Sequence, residues 1–164
     1  MIDRFITLCY KEYHDRDELS IQQKKVVQSA AEACATAYSP YSQFPVGSAL
    51  LLQDGTLIHG SNQENASYPC GICAERNALF HYGSLTSRIP IQKIAVVVAQ
   101  GSKSGALPAA PCGLCRQVMA EFETRNEGPI EVILAQEGSV ILIFESCQAL
   151  LPHWFSPSQL LNVR

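Results

Sequence analysis

The sequence lacks three features: a membrane-spanning segment, a signal peptide and a strong positive charge. It has no apolar segment approaching the roughly 18 residues that a membrane span needs. Only a short apolar run precedes Lys11 and Glu12, which is too little for a signal peptide. The formal net charge is only -3, so the chain has no basic field for a long nucleic acid. We therefore predict a cytoplasmic protein that binds a small-molecule substrate, and neither a membrane nor a nucleic acid.

The chain also lacks linkers, internal repeats and low-complexity segments. Its 164 residues, of which 47% are hydrophobic and 16% charged, match one compact domain with a proper core. We predict a single catalytic domain over residues 1–164, with residues 1–20 as an N-terminal extension. Seven cysteines without a secretion signal favour reduced thiols and metal binding over a disulfide framework.

The hydrophobic pattern alternates between strands and helices. Ser20 and Gln23 form a capping-box start for a long helix that we expect to reach Tyr38. Further helices are predicted from Cys73 to about Tyr82 and from near Gly113. Five strands are predicted, at residues 46–52, 57–60, 94–98, 130–135 and 140–144, and weak alternation over residues 2–10 favours an edge strand. This order predicts an α/β protein: a three-layer α/β/α architecture with a central mixed five-stranded sheet.

Two cysteine-containing segments carry the chemistry. The first reads Cys73-Ala74-Glu75-Arg76, and the second places Cys112 and Cys115 in a Pro-Cys-x-x-Cys pattern. Zinc-dependent deaminases combine a ligand-x-Glu segment with a later Pro-Cys-x-x-Cys segment. Both segments enter predicted helices, whose exposed N–H groups favour thiolate over thiol. Three protein ligands leave the fourth position of a Zn²⁺ ion open for water, which is typical of a catalytic site.

The residues between and after these ligands have separate predicted roles. Glu75 lies two residues after Cys73, so its carboxylate is close to the open position without being a ligand and can transfer the water's proton. Three thiolates on a doubly charged ion leave a net negative site. Arg76 would offset that charge from just outside the ligand sphere, and Ala74 is the spacer between ligand and acid.

Two other interpretations fit the same cysteines. Cys70 and Cys73 are also three apart, so with Cys112 and Cys115 they match a four-cysteine structural zinc site. Glu75 and the apolar helical residues that follow it favour the catalytic site. A non-catalytic zinc-stabilised binding protein, for RNA for example, would need the basic surface that this composition does not supply.

Five segments together resemble a known family, the small, homotetrameric, three-cysteine type of cytidine deaminase. The resemblance covers residues 35–155. It rests on YSQFPVG from Tyr41, NQENASY from Asn62, CAERNA from Cys73, PCGLCRQ from Pro111 and LLPHWF from Leu150.

The resemblance implies hydrolytic deamination of cytidine and deoxycytidine, with zinc bound by Cys73, Cys112 and Cys115 and protons transferred by Glu75. Implied substrate contacts come from Phe44, Asn62, Glu64, Ala74 and Phe155. Asn62 and Glu64 would bind the ribose, and an amide and a carboxylate two residues apart can bond a sugar diol. Phe155 would reach the site of a neighbouring subunit in a homotetramer. A modified cytidine or an aminopyrimidine nucleoside, as in the blasticidin S deaminases, is the alternative substrate.

Overall fold

A computed structural model describes residues 1–86, 88–99 and 106–161, and its strands form one six-stranded sheet. The sheet order is β1-β6-β5-β4-β2-β3, and only β4 and β5 pair in parallel. The strands are β1 (Lys11–Tyr13), β2 (Val46–Leu52), β3 (Leu57–Ser61), β4 (Ile91–Val98), β5 (Glu131–Gln136) and β6 (Ile141–Phe144). The helices are α1 (Ile21–Ala33), α2 (Ala74–Ser84), α3 (Gly113–Thr124) and the short α4 (Pro157–Leu161).

Helices cover both faces of the sheet, so the predicted three-layer mixed architecture is confirmed. Alternate residues of a strand point to opposite faces. In β4, Ile94 and Val96 therefore join the core beneath α2 and α3, whereas Ala95 and Val97 join the core beneath α1. Burial on both faces explains why this strand is a continuous apolar run without polar alternation.

The sheet has six strands where five were predicted. The extra strand, β1, pairs antiparallel with β6 and matches Lys11 to Ile143 and Tyr13 to Ile141. The edge strand predicted over residues 2–10 is wrong, because those residues form no regular structure and lie exposed. Strand formation begins only where the chain reaches the open edge of β6, and the half-buried Tyr13 packs against the core there.

Helix α1 begins as predicted and ends earlier. The Ser20 hydroxyl accepts from the Gln23 amide (3.3 Å) and the Gln23 side chain accepts from the Ser20 amide (2.9 Å), which confirms the capping box. The helix stops at Ala33 and tightens into a 3₁₀ turn at Cys34–Thr36. Tyr38, the predicted last residue, instead forms an isolated bridge with Gln63.

Close packing at Gly60 brings the N-terminal turns of α2 against β3. A Cβ atom at Gly60 would lie 2.5 Å from the Ala78 nitrogen and 2.9 Å from the Ala74 oxygen. Only glycine allows the helix backbone to approach the strand this closely. Ala74, the residue after Cys73, is thereby fixed against β3.

The predicted loop over residues 100–108 lies mostly outside the described residues. At its end, Ala106 bridges Ser139 in parallel and accepts from the Val140 amide (3.2 Å). The longest helix, α1, has 13 residues. Among the described parts of the chain, no helix is long and apolar enough to cross a membrane.

Candidate metal centre and substrate pocket

Three cysteines from two helix N-termini meet at one point. Cys73 is the N-cap residue of α2, and Cys112 is the N-cap residue of α3. Cys115 lies one turn further along α3 and is fully buried. The three sulfur atoms lie within 4.8 Å of one another. The cysteines that the sequence motifs selected therefore form one cluster.

The sulfur spacing matches the size of a zinc ion. Sulfurs at tetrahedral angles and about 2.3 Å from zinc lie about 3.8 Å apart. The Cys73 and Cys112 sulfurs are 3.9 Å apart, and those of Cys112 and Cys115 are 3.5 Å apart. Soft thiolates at this spacing suit zinc. The cluster therefore fits the cofactor that the sequence predicts.

The pKa values of two cysteines in the cluster are shifted in opposite directions, and the thiolate form of Cys73 that results favours binding of a cation. A hydrogen bond from the Cys115 thiol, supported by the Arg76 guanidinium, lowers the pKa of Cys73 to about 5. The same hydrogen bond, together with burial, raises the pKa of Cys115. A zinc ion bound by all three sulfurs would require Cys115 to lose its proton.

Arg76 lies beside the cluster, as predicted for charge compensation. Its Nη2 atom is 3.9 Å from the Cys73 sulfur and 3.5 Å from the Gly71 carbonyl oxygen. The buried Nε atom of Arg76 has no hydrogen-bond partner among the described residues. The guanidinium thus places a positive charge beside the thiolates without being a metal ligand itself.

Glu75 is a buried acid at the start of α2. It lies in the first helical turn and is 4% exposed. Burial raises the pKa of its carboxyl, and the nearby Cys73 thiolate raises it further. A carboxyl with a raised pKa can both take up and return a proton near neutral pH. Its chemistry suits the predicted proton transfer.

Cys70 is not part of the cluster. Within residues 1–86, 88–99 and 106–161, the metal-ligating group contains three cysteines, and Cys70 is not one of them. Its thiol instead bonds the Ser67 hydroxyl at 3.5 Å and is exposed. The four-cysteine structural site therefore does not match the geometry.

A pocket of about 480 Å³ opens beside the cluster. Asn62 and Glu64 line it together with Cys73 and Arg76. These residues meet because Gln63 and Ile72 exchange two backbone hydrogen bonds of 2.9 Å, which close the loop between them. The predicted sugar-binding pair and the metal ligand consequently lie on opposite sides of one short bridge.

The side chains of Asn62 and Glu64 already hydrogen bond the segment 41–46, whose first two residues also line this pocket. Asn62 accepts from the Val46 amide (2.8 Å) and donates to the Phe44 carbonyl (3.0 Å). Glu64 accepts from the amides of Tyr41 (3.0 Å) and Ser42 (3.2 Å), and from the Ser42 hydroxyl. Sequence reasoning missed this use of both side chains, and it missed Ser42 altogether.

Phe44 and Ala74 lie near the pocket in different ways. Phe44 is about one-third exposed, and its backbone is fixed by Asn62 and by the Ser42 hydroxyl, which accepts from its amide (3.1 Å). Ala74 is fully buried in the first turn of α2, where its carbonyl faces Gly60. Ala74 thus packs in the core and is not among the residues that line the pocket, so its predicted contact with a substrate stays a prediction.

Phe155 is remote from this pocket in its own chain. It lines a different depression, between α2, α3 and α4, together with Phe80 and Val118. Gln117 holds its backbone at two points, donating to the Phe155 carbonyl (2.8 Å) and accepting from its amide (3.2 Å). Phe155 is 57% exposed. The predicted contact of Phe155 with a substrate is therefore not made within its own chain.

Fold and site together define an α/β protein with a three-cysteine site able to hold a zinc ion. Residues 20–127 match the family model described as cytidine and deoxycytidylate deaminase zinc-binding region. The chain therefore belongs to the cytidine and deoxycytidylate deaminase family.

Curated relatives and solved structures agree with this family. The chain is 44% identical over 99 residues to the cytidine deaminase of Sporosarcina psychrophila, and the aligned region covers 60% of this chain and 68% of that protein. It is 46% identical over 102 residues to that of Halalkalibacterium halodurans, covering 62% and 73%. A crystal structure of cytidine deaminase from Burkholderia pseudomallei superposes with a TM-score of 0.67 at 42% identity, covering 80% of this chain and 97% of that one.

Proposed function

We propose that this chain catalyses the hydrolytic deamination of cytidine and deoxycytidine to uridine and deoxyuridine, with release of ammonia. The observation that carries this proposal is the buried, unligated Glu75 beside three zinc-binding thiols, next to a pocket lined by Asn62 and Glu64. The reaction belongs to pyrimidine salvage. A site built on reduced thiolates also supports a location in the cytoplasm.

Each part of the reaction has a matching group in the chain. Cys73, Cys112 and Cys115 would hold the zinc ion, which when bound would acidify a water for attack on C4 of the pyrimidine. Glu75 accepts a proton from that water and delivers it to N3. The same carboxyl then transfers the second proton to the departing amino group, so that the C4–N bond breaks as the carbonyl forms and ammonia leaves. Burial supports this exchange because it raises the pKa of Glu75.

Sugar recognition is proposed to involve one hydroxyl and not a diol. The Asn62 amide has one N–H left after bonding Phe44 and Val46. Glu64 has spare acceptor capacity on the oxygen that the Ser42 hydroxyl contacts. One donor and one acceptor match a single hydroxyl, which donates to Glu64 and accepts from Asn62. We propose that this is the 3′-hydroxyl, which cytidine and deoxycytidine share, so that both are turned over.

A homotetramer is proposed in which Phe155 contacts the site of a neighbouring subunit. The support is the exposed ring on a backbone that Gln117 fixes. Sedimentation measures the assembly. Co-expression of Phe155→Ala with Glu75→Gln subunits tests the contact, because a mixed assembly pairs an intact Glu75 with a neighbour's Phe155 and regains activity. Activity no higher than that of the Phe155→Ala protein alone would contradict the shared site.

The substrate itself is tested by the fall in ultraviolet absorbance as cytidine becomes uridine. Cytidine and deoxycytidine are assayed beside blasticidin S and base-modified cytidines, with released ammonia measured in parallel. We expect the two unmodified nucleosides to give the highest kcat/KM. Absence of cytidine turnover by the zinc-loaded protein at high concentration would overturn the proposal.

A further inference from the structure

Ser42 is the side chain in closest contact with the proposed sugar-binding carboxylate. Its hydroxyl hydrogen bonds one oxygen of Glu64, while its own oxygen accepts from the Phe44 amide at 3.1 Å. Both hydrogen-bonding directions of this hydroxyl are therefore assigned. The other oxygen of Glu64 accepts from the amides of Tyr41 and Ser42.

These contacts fix the carboxylate at both of its oxygens. A carboxylate oxygen offers about two acceptor sites, so two amide donors fill one oxygen of Glu64. On the other oxygen, the Ser42 hydroxyl takes one site and leaves one. We propose that Ser42 is a positioning residue, which orients the Glu64 carboxylate so that one acceptor remains for the substrate's sugar hydroxyl. This inference rests on the proposed function.

The contact is separable from the fold of the loop. Removal of the Ser42 hydroxyl also takes away the acceptor of the Phe44 amide, but both amide bonds to Glu64 remain, and Asn62 still holds the chain at Phe44 and Val46. The loop is therefore expected to keep its path while the carboxylate gains rotational freedom. The Ser42 hydrogen bond also lowers the pKa of Glu64, so it keeps this group in its accepting form.

The effect should appear in substrate binding and not in chemistry. We expect Ser42→Ala to raise KM for cytidine about tenfold, in line with loss of a hydrogen bond to a charged group, while kcat changes less than about twofold. Ser42→Thr, which keeps a hydroxyl, should restore most of the affinity. Ser39→Ala is the matched control, because it removes a hydroxyl from the same loop that does not bond Glu64.

A double-mutant cycle identifies the route of the effect. If Ser42 acts through Glu64, then Ser42→Ala in a Glu64→Ala background should change KM by less than about twofold. Ser42→Cys, with a weaker donor, provides a second variant should the alanine protein not fold. An unchanged KM in the single variant, or the full effect in the Glu64→Ala background, would overturn the inference. Lack of cytidine turnover by the unsubstituted protein would instead refute the proposed function.

Discussion

The backbones of Gln63 and Ile72 exchange two hydrogen bonds of 2.9 Å, and this pair joins the two halves of the site. On one side it is flanked by Asn62 and Glu64, and on the other by Cys73, the first metal ligand. The separation of the proposed sugar-binding pair from the metal-ligating Cys73 is therefore fixed by a bridge of two hydrogen bonds. This arrangement supports simultaneous binding of the sugar and the base.

The exclusion of Cys70 from the cluster predicts a contrast between two serine substitutions. Cys70→Ser should keep one zinc per chain and full activity, because that thiol hydrogen bonds Ser67 and lies outside the three-cysteine group found among the described residues. Cys115→Ser should lose most of its zinc, because a buried ligand of three is removed. Zinc content by atomic absorption, measured beside deamination, distinguishes the two variants. Zinc loss in Cys70→Ser would point to the four-cysteine structural site.

Replacement of Arg76 should raise the pH at which Cys73 becomes protonated and the site loses its metal. The Cys73 pKa is lowered to about 5, first by the Cys115 thiol and then by Arg76. A depressed pKa keeps the thiolate above about pH 5 and lets it protonate as the pH falls through that value. Arg76→Gln raises this pKa, so thiolate is lost at a higher pH.

Ultraviolet titration of thiolate in the zinc-free protein measures the Arg76 effect, and zinc release on acidification provides a second readout. Arg125→Gln is the control, since that guanidinium lies over the Phe122 ring, 4.2 Å from its centre, at the far end of α3. The same pH midpoint of thiolate loss and zinc release in Arg76→Gln and in the unsubstituted protein would contradict a compensating role for Arg76.

Recognition of one sugar hydroxyl predicts an asymmetric response to two deoxynucleosides. Loss of the hydroxyl that Asn62 and Glu64 bind leaves a charged acceptor unpaired and should cost about 10- to 100-fold in kcat/KM. Loss of the other hydroxyl should cost less than about fivefold by the same reasoning. Steady-state rates with cytidine, 2′-deoxycytidine and 3′-deoxycytidine measure both effects. Equal large losses for the two analogues would restore the diol interpretation.

The tight packing at Gly60 predicts that a methyl group there disturbs the site from a distance. In Gly60→Ala the new Cβ would meet the backbone of α2 at 2.5 Å, so the helix that carries Glu75 must shift. We expect a free energy of unfolding lowered by about 2 kcal/mol and a kcat lowered at least tenfold. Denaturant unfolding and steady-state kinetics measure these changes. Gly128→Ala is the control, because a Cβ there has no atom within 4 Å.

The parts of the fold that local pattern determines could be predicted from the sequence. Strand β2 has the predicted bounds, because an apolar run ending at the Asp54-Gly55 turn is a local signal. The cysteine spacing likewise predicted the cluster, because both cysteine-containing segments start helices. These features depend on neighbouring residues and so are visible in the chain itself.

The remaining features depend on contacts between distant segments. β1 is a strand because β6 offers it an open edge, about 130 residues further along the chain, and its three residues carry no alternation signal of their own. The Asn62 side chain is engaged because Phe44 and Val46 happen to pass beside it. Such pairing cannot be deduced from the residue types alone, so the hydrogen bonds that already engage the Asn62 and Glu64 side chains were not predicted.

The most direct measurement concerns Glu75, the acid that distinguishes a catalytic zinc site from a structural one. Zinc content and cytidine turnover are measured together for Glu75→Gln, with Glu121→Gln as the control from the depression that Phe155 lines. We predict that Glu75→Gln keeps one zinc per chain while kcat falls at least about 10³-fold, since the proton transfers lose their carrier. Full zinc together with an unchanged kcat would contradict the proposed mechanism.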